Sequence, residues 1–423
     1  MSTTTTHIET EKRSAERSRG KLIPELRFKE FEKEWNYFKL EDVVMKKISY
    51  GIVQAGEHIE GGMPYIKSKD INGPIKLDTL ERTSDEIAKK YIRSEVTPGD
   101  IIFSLRGNIG ISQILPESIK VANLTQGTAR ISVSNNYANY FVYQSLYTLP
   151  VIKRILCVSK GSTFQEISLA DLRNVKIVSP ALPEQQKIAS FLSEVDEKIQ
   201  QLTKKKELLE QYKKGVMQQL FSGQVRFKDE NGNPYPDWEE KLLDDVANIK
   251  RGASPRPISD PKWFDTDSEI GWVRISDVTK SNKYLEKTTQ YLTAEGVAKS
   301  RLVATGSMIM SICATIGKPI YTKFEVCIHD GFVVFENLQA DKEFLYYYLD
   351  KIQLQWYRYG QPGSQVNLNS TIVGNETMPY PCIEEQQKIA TYLSSIDSKI
   401  EAVYNQITQT QTFKKGLLQQ MFV

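Results

Sequence analysis

The chain has 423 residues, 40% of them apolar and 25% charged, the composition of an ordinary globular protein of roughly two to three domains. Its net charge, 55 − 52 = +3, is too small to mark a polyanion partner by itself, so any such contact must come from local patches. No run of about 18 apolar residues exists to span a membrane, the polar N-terminus carries no signal peptide, and Cys157, Cys313, Cys327 and Cys382 lack C-x-x-C spacing. The expectation is a cytoplasmic protein without structural zinc.

Residues 1–22 are Thr-rich and charged, with few apolar positions, and read as a disordered tail. Residues 23–180 read as a first mixed α+β domain, with strand-like runs at Asp100–Ser104 and Val175–Val178 and a helical stretch at Ser84–Lys90. Residues 181–222 read as one long central helix. Residues 223–382 read as a second α+β domain, with a strand at Gly331–Phe335 and a helix at Lys342–Gln355. Residues 383–423 read as a second long helix.

The two halves repeat. EQQKIA occurs at Glu184–Ala189 and again at Glu385–Ala390, and across Glu184–Phe221 and Glu385–Phe422 17 of 38 positions are identical without a gap. Fainter echoes precede them: Thr97–Gly110 matches Ala304–Gly317 and Ile66–Ile71 matches Val273–Val278, both at an offset of 207. The offset drifts between the globular blocks and stays fixed in the 38-residue block. Loops absorb length changes, whereas a helix cannot without rotating its face. Apolar residues in that block follow a heptad: Ile188, Leu192, Val195, Ile199 and Leu202 in one copy, Ile389, Leu393, Ile396, Ile400 and Val403 in the other. Lys206, Lys213, Thr410 and Lys414 occupy the weak seam positions. Either each helix packs on its own domain or the two pair with each other. Two matched seams in one chain favour pairing, and an antiparallel pair would place a domain at each end. Gly215 and Gly416 each cost a helix about 1 kcal/mol, and a close helix crossing would account for them.

Catalytic equipment is sparse. The histidines are His7, His58 and His329. Ala314–Pro319 (ATIGKP) lacks the upstream glycine and the hydroxyl of a P-loop. Asn233–Pro236 (NPYP) departs from the Asn-Pro-Pro-aromatic motif of amino methyltransferases and reads as a turn before Trp238. What the globular parts offer is polar loops with cations and amides. In the first repeat these carry Lys67, Lys69, Arg106, Asn108, Gln126, Lys160, Ser162 and Gln165. In the second they carry Lys250, Arg251, Arg256, Arg274, Lys318, Gln361, Ser364 and Gln365. Arg suits guanine and Asn or Gln suits adenine in the major groove, while Lys and Ser suit phosphates. A solvated loop is the competing account of each.

The arrangement resembles the specificity subunit of type I restriction–modification systems. The resemblance rests on the proline-then-EQQKIA entries, the KKG-x-x-QQ-x-F helix ends, the openings Leu26–Trp35 and Val225–Trp238, and the runs Gly99–Gly110 and Gly161–Leu172. It implies an α+β fold with two globular target recognition domains in pseudo-twofold repeat, separated by two long antiparallel coiled-coil helices. It also implies a non-catalytic chain whose domains each read half of a bipartite double-stranded DNA target. The helices would set the spacing and dock two methyltransferase subunits, with restriction subunits joining. No cofactor would be bound by this chain; S-adenosylmethionine, ATP and Mg would sit on the partners. The second repeat departs from the pattern, with Ser307 for Asp100 and Cys313 for Arg106. The specificity chain of a fused nuclease–methyltransferase (Type IIB-like) system and a coiled-coil adaptor without a DNA role stand as alternatives.

Overall fold

The structure, a computed structural model, describes residues 21–161, 165–359 and 368–423, so all but the last two residues of the expected tail lie outside it. The chain forms two compact units, Met1–Leu202 with Asn405–Val423, and Thr203–Tyr404.

Three sheets build the first unit. Asn36–Lys39 pairs with Lys176–Ser179. A four-stranded antiparallel sheet runs, in spatial order, Val44–Tyr50, Thr128–Val133, Ile101–Ser104, Ser112–Ile114. The third runs Glu81–Thr83, Met63–Ile66, Ala122–Leu124, Glu95–Val96, with its middle pair parallel. Alternation along the Ile-Ile-Phe strand explains why it is buried throughout. Ile101 and Phe103 enter one core with Leu40, Val142 and Leu172, while Ile102 enters another with Ile66, Val96 and Leu124. Ser84 accepts from the Ile87 amide at 3.2 Å and so starts the short helix Asp85–Lys90.

The second unit repeats this plan. Glu239–Leu242 pairs with Thr377–Tyr380. Asn248–Arg251, Phe332–Glu336, Met308–Ser311 and Pro319–Thr322 form the antiparallel sheet, to which Tyr284–Leu285 adds a parallel edge. Gln290–Tyr291, Gly271–Val273, Val326–Ile328 and Arg301–Val303 form the third sheet, again parallel in the middle. Met308 and Met310 face one core and Ile309 the other. The helix Lys342–Ile352 begins where Asp341 accepts from Phe344 N at 2.9 Å. It stops three residues short of the expected Gln355, and the chain continues as tighter turns over Gln353–Tyr359.

The central helix is Leu182–Phe221 and the C-terminal helix Ile383–Gln420. At 1.5 Å per residue each is about 60 Å long. Their pairing is visible within each unit. In the first, Ile188 and Leu192 share a core with Leu417, Met421 and Phe422, and Val195 packs against it. In the second, Ile389, Leu393 and Ile396 share a core with Met217, Leu220 and Phe221, and Ile400 packs against it. One helix's start meets the other's end, so the pairing is antiparallel. Leu202 and Val403 are buried and Ile199 is half-buried. Each seam also packs on its own domain, through Trp35 and Phe141 in the first unit and Phe344 and Leu345 in the second. Both accounts of the heptad therefore hold.

The same six letters recur because they do the same work twice. Glu184 is 3% exposed and takes both Arg27 Nε and NH2 at 2.7 Å, with Trp35 Nε1 at 3.2 Å. Glu385, fully buried, takes Arg226 at 3.2 and 2.8 Å and Trp238 Nε1 at 2.8 Å. Gln185 accepts from Ala138 N and donates to Pro180 O; Gln386 accepts from Asp341 N and donates to Pro381 O. Each EQ pair thus ties a helix start to the opening of its domain. The glycines differ from expectation. A Cβ at Gly215 or Gly416 would meet nothing within 4 Å, so no crossing element explains either.

Candidate nucleic-acid interface

In the first unit, hydrogen bonds gather most of the sequence-selected loops into one cluster. Leu105 N donates to Gly127 O at 2.9 Å, and Ser68 Oγ to the same carbonyl at 2.8 Å. Ile167 N donates to Leu105 O at 3.0 Å, which brings in the segment after Lys160, and Lys160 and Glu166 exchange backbone bonds at 2.8 and 2.9 Å. Asn108 Nδ2 donates to Asn72 Oδ1 at 3.1 Å. Gly51 lets its own segment lie against Leu124 and Thr125, its N–H donating to Thr125 O at 3.2 Å: a Cβ there would sit 1.7 Å from Leu124 O.

Three cations of this cluster, Lys67, Lys69 and Arg106, are already paired. Arg106 NH2 lies 2.8 Å from Glu166, and the two side chains are 46% and 47% exposed. Lys67 Nζ lies 2.5 Å from Glu81 and Lys69 Nζ 3.8 Å from it. Lys67 and the Tyr65 hydroxyl, which donates at 2.6 Å, hold the Glu81 carboxyl down at about 2. Gln126 is half-buried, its backbone N–H donating to Ile52 O at 2.9 Å. Lys160 and Gln165 are exposed; Ser162 lies outside the described residues.

The second unit builds its cluster from the equivalent bonds. Ile312 N donates to Gly331 O at 2.9 Å and Leu368 N to Ile312 O at 2.9 Å, reproducing the Leu105–Gly127 and Ile167–Leu105 links. Asp277 accepts from Arg274 N at 3.0 Å, as Asp70 does from Lys67 N at 2.8 Å. Here Asp330 is the hub. Ser254 Oγ donates to it at 2.8 Å, Arg256 NH2 lies 3.3 Å away, and its carbonyl accepts Arg251 Nε at 2.7 Å. Beside it, burial depresses His329 to about 4. Arg274 is exposed, and Lys250 pairs with Glu336 at 2.7 Å. Lys318 is half-buried and turned to the end of the short helix Ile275–Lys280, donating to Ser281 O at 2.5 Å and Thr279 O at 3.4 Å. Gln361, Ser364 and Gln365 lie outside the described residues.

A search for cations and amides leaves out the acids Glu81, Glu166 and Asp330, which organise both clusters. The signal for Asp330 lies in the repeat itself: it stands where Gln126 stands in the first half, one residue before the shared glycine. Among the described residues no group of three or more His, Cys, Asp or Glu could hold a metal ion, and no helix is long and apolar enough to cross a membrane.

These two clusters, each set on one copy of a repeated fold, can be compared with known proteins. The chain is 26% identical over 387 residues to the type I restriction enzyme MjaVIII specificity subunit of Methanocaldococcus jannaschii, covering 86% of each chain. It is 26% identical over 413 residues to the putative type I restriction enzyme MjaX specificity subunit of the same organism, covering 92% of this chain and 93% of that one. Its fold matches the type I restriction–modification S subunit of M. genitalium with a TM-score of 0.56 at 16% identity, over 95% of this chain and 99% of the other. The family model for the type I restriction modification DNA specificity domain matches twice, over residues 32–211 and 235–410, and the chain belongs to that family.

Proposed function

We propose that this chain is the DNA specificity subunit of a type I restriction–modification complex, and that each unit reads one half of a bipartite duplex target through its loop cluster. The observation that carries the reading is the duplicated cluster: the same backbone links, Leu105–Gly127 and Ile312–Gly331, present different side chains in the two units. A repeated scaffold with unlike polar tips suits two unlike half-sites. Recognition would be this chain's contribution. Methylation with S-adenosylmethionine and ATP- and Mg-dependent steps would belong to partner methyltransferase and restriction subunits. The paired helices would fix the gap between half-sites and offer equivalent docking faces to two methyltransferase subunits.

The test is a module exchange. Residues 23–180 are replaced by the corresponding segment of a relative, and the methylated motif is read by sequencing cellular DNA. One half of the motif should change and the other persist. A change in both halves, or in neither, overturns the assignment of one half-site to each unit.

A further inference from the structure

Asp330 is an acid at the centre of a cluster assigned to a polyanion, where its charge repels phosphate. It lies in the turn between strands Val326–Ile328 and Phe332–Glu336. Three donors from a single segment converge on it: Arg251 on its carbonyl, Ser254 and Arg256 on its carboxylate. Gly252, between the first two, permits this, since a Cβ there would lie 2.1 Å from His329 O. Arg256 is 73% exposed. A free arginine of that exposure samples many rotamers and loses that freedom when a base fixes it. A carboxylate 3.3 Å from one nitrogen of the fork biases its orientation and leaves its other donors to solvent.

We propose that Asp330 is a positioning residue for sequence readout by the second unit: it aims Arg256 at a base edge without contacting DNA itself. This rests on the reading that the cluster faces DNA. It gives the acid a reason to stand among cations, because lost phosphate attraction is offset by a preset arginine. The first unit uses the same device at another place, where Glu166 from one loop holds Arg106 from another.

The test selects bound duplexes from a random pool, using the full chain co-expressed with its methyltransferase partner. Arg256→Ala should relax one base position in one half-site and weaken binding about tenfold, the range of a single base contact. Asp330→Asn, isosteric and uncharged, should relax the same position. Added to Arg256→Ala, it should change nothing further. Retention of the full motif by Asp330→Asn, relaxation of a different position, or uniformly tighter binding of all sequences would overturn the proposal. If Arg251→Ala, Arg256→Ala and Arg274→Ala each leave both motif and affinity intact, the cluster does not face DNA, and this inference falls with that reading. Should Asp330→Asn fail to fold, Asp330→Ser carries the same expectations.

Discussion

Lys213 on the central helix lies 2.8 Å from Asp397 on the C-terminal helix, within the second unit. Their repeat equivalents make the reciprocal pair in the first unit, where Lys414 lies 2.8 Å from Asp196. A lysine in an apolar seam looks like a defect in sequence, yet here it fixes register. Tyr347 donates to Asp397 at 2.6 Å, and Tyr140 and Gln144 donate to Asp196, so each aspartate also ties the helices to a domain. The half-buried pair should couple by about 1–3 kcal/mol in a double-mutant cycle of Lys213→Ala and Asp397→Ala. Additive losses in chemical denaturation would show that the pair contributes nothing beyond its separate neighbours.

Breaking a buried arginine–carboxylate pair costs about 3–5 kcal/mol, because the surviving charge is left unpaired. Arg27 and Glu184 are 6% and 3% exposed, so Glu184→Ala should destabilise the first unit by that order. Glu385→Ala should cost somewhat less in the second, because the Arg226 left behind is 26% exposed and regains water. Replacing Lys187, whose pair with Glu30 is open to solvent, should cost far less than either. Urea titrations of the three variants check the ranking.

Gly215 and Gly416 lie in helices, without the positive φ that favours glycine, and face open space. Ala at either position should raise helix stability by up to about 1 kcal/mol. Under the docking proposed above, the same change should weaken the complex with a methyltransferase subunit. Thermal melting of the free chain and co-purification of the partner measure the two effects separately. Unchanged melting would mean that the helix ends fray in solution.

Arg106→Ala should weaken DNA binding and relax one position of one half-site, by about 1–3 kcal/mol against the preferred base. Glu166→Gln should relax that position too, since Glu166 holds the guanidinium. Fluorescence anisotropy with duplexes varied at single positions reads both. Full discrimination in Arg106→Ala would return this residue to an ordinary solvated loop.

His329 titrates near 4 in the folded protein because burial disfavours its charged form. Unfolded, it takes up a proton near 6.5. Between these values the unfolded chain binds more protons, so stability rises with pH across the window and is lost as pH falls from about 6.5 towards 4. The loss should reach at most about 3 kcal/mol. Carboxylates titrate in the lower part of this range, so the readout is the difference between the native chain and His329→Gln. Parallel pH profiles would show that His329 is not the group responsible.

Period and repetition were enough to reveal the long helices, the duplication and the antiparallel seam, because a 3.5-residue spacing is local information that no distant contact has to supply. The 207-residue offset likewise foretold which strands and turns are equivalent: Ile101–Ser104 and Met308–Ser311 occupy the same place in their sheets. Tertiary structure alone decided the partners of charge. Nothing local in the sequence assigns Glu184 to Arg27, 157 residues away, or Lys414 to Asp196, 218 residues away. The same holds for Lys318, which looks like a free cation in its loop and spends its ammonium on two carbonyls of another segment. Asp330 became the hub of its cluster only when the antiparallel pairing of Asn248–Arg251 with Phe332–Glu336 and the close approach at Gly252 brought Arg251, Ser254 and Arg256 to one turn. A side chain's type is written in the sequence, but the direction in which it can still offer a hydrogen bond depends on which neighbours the fold has already given it.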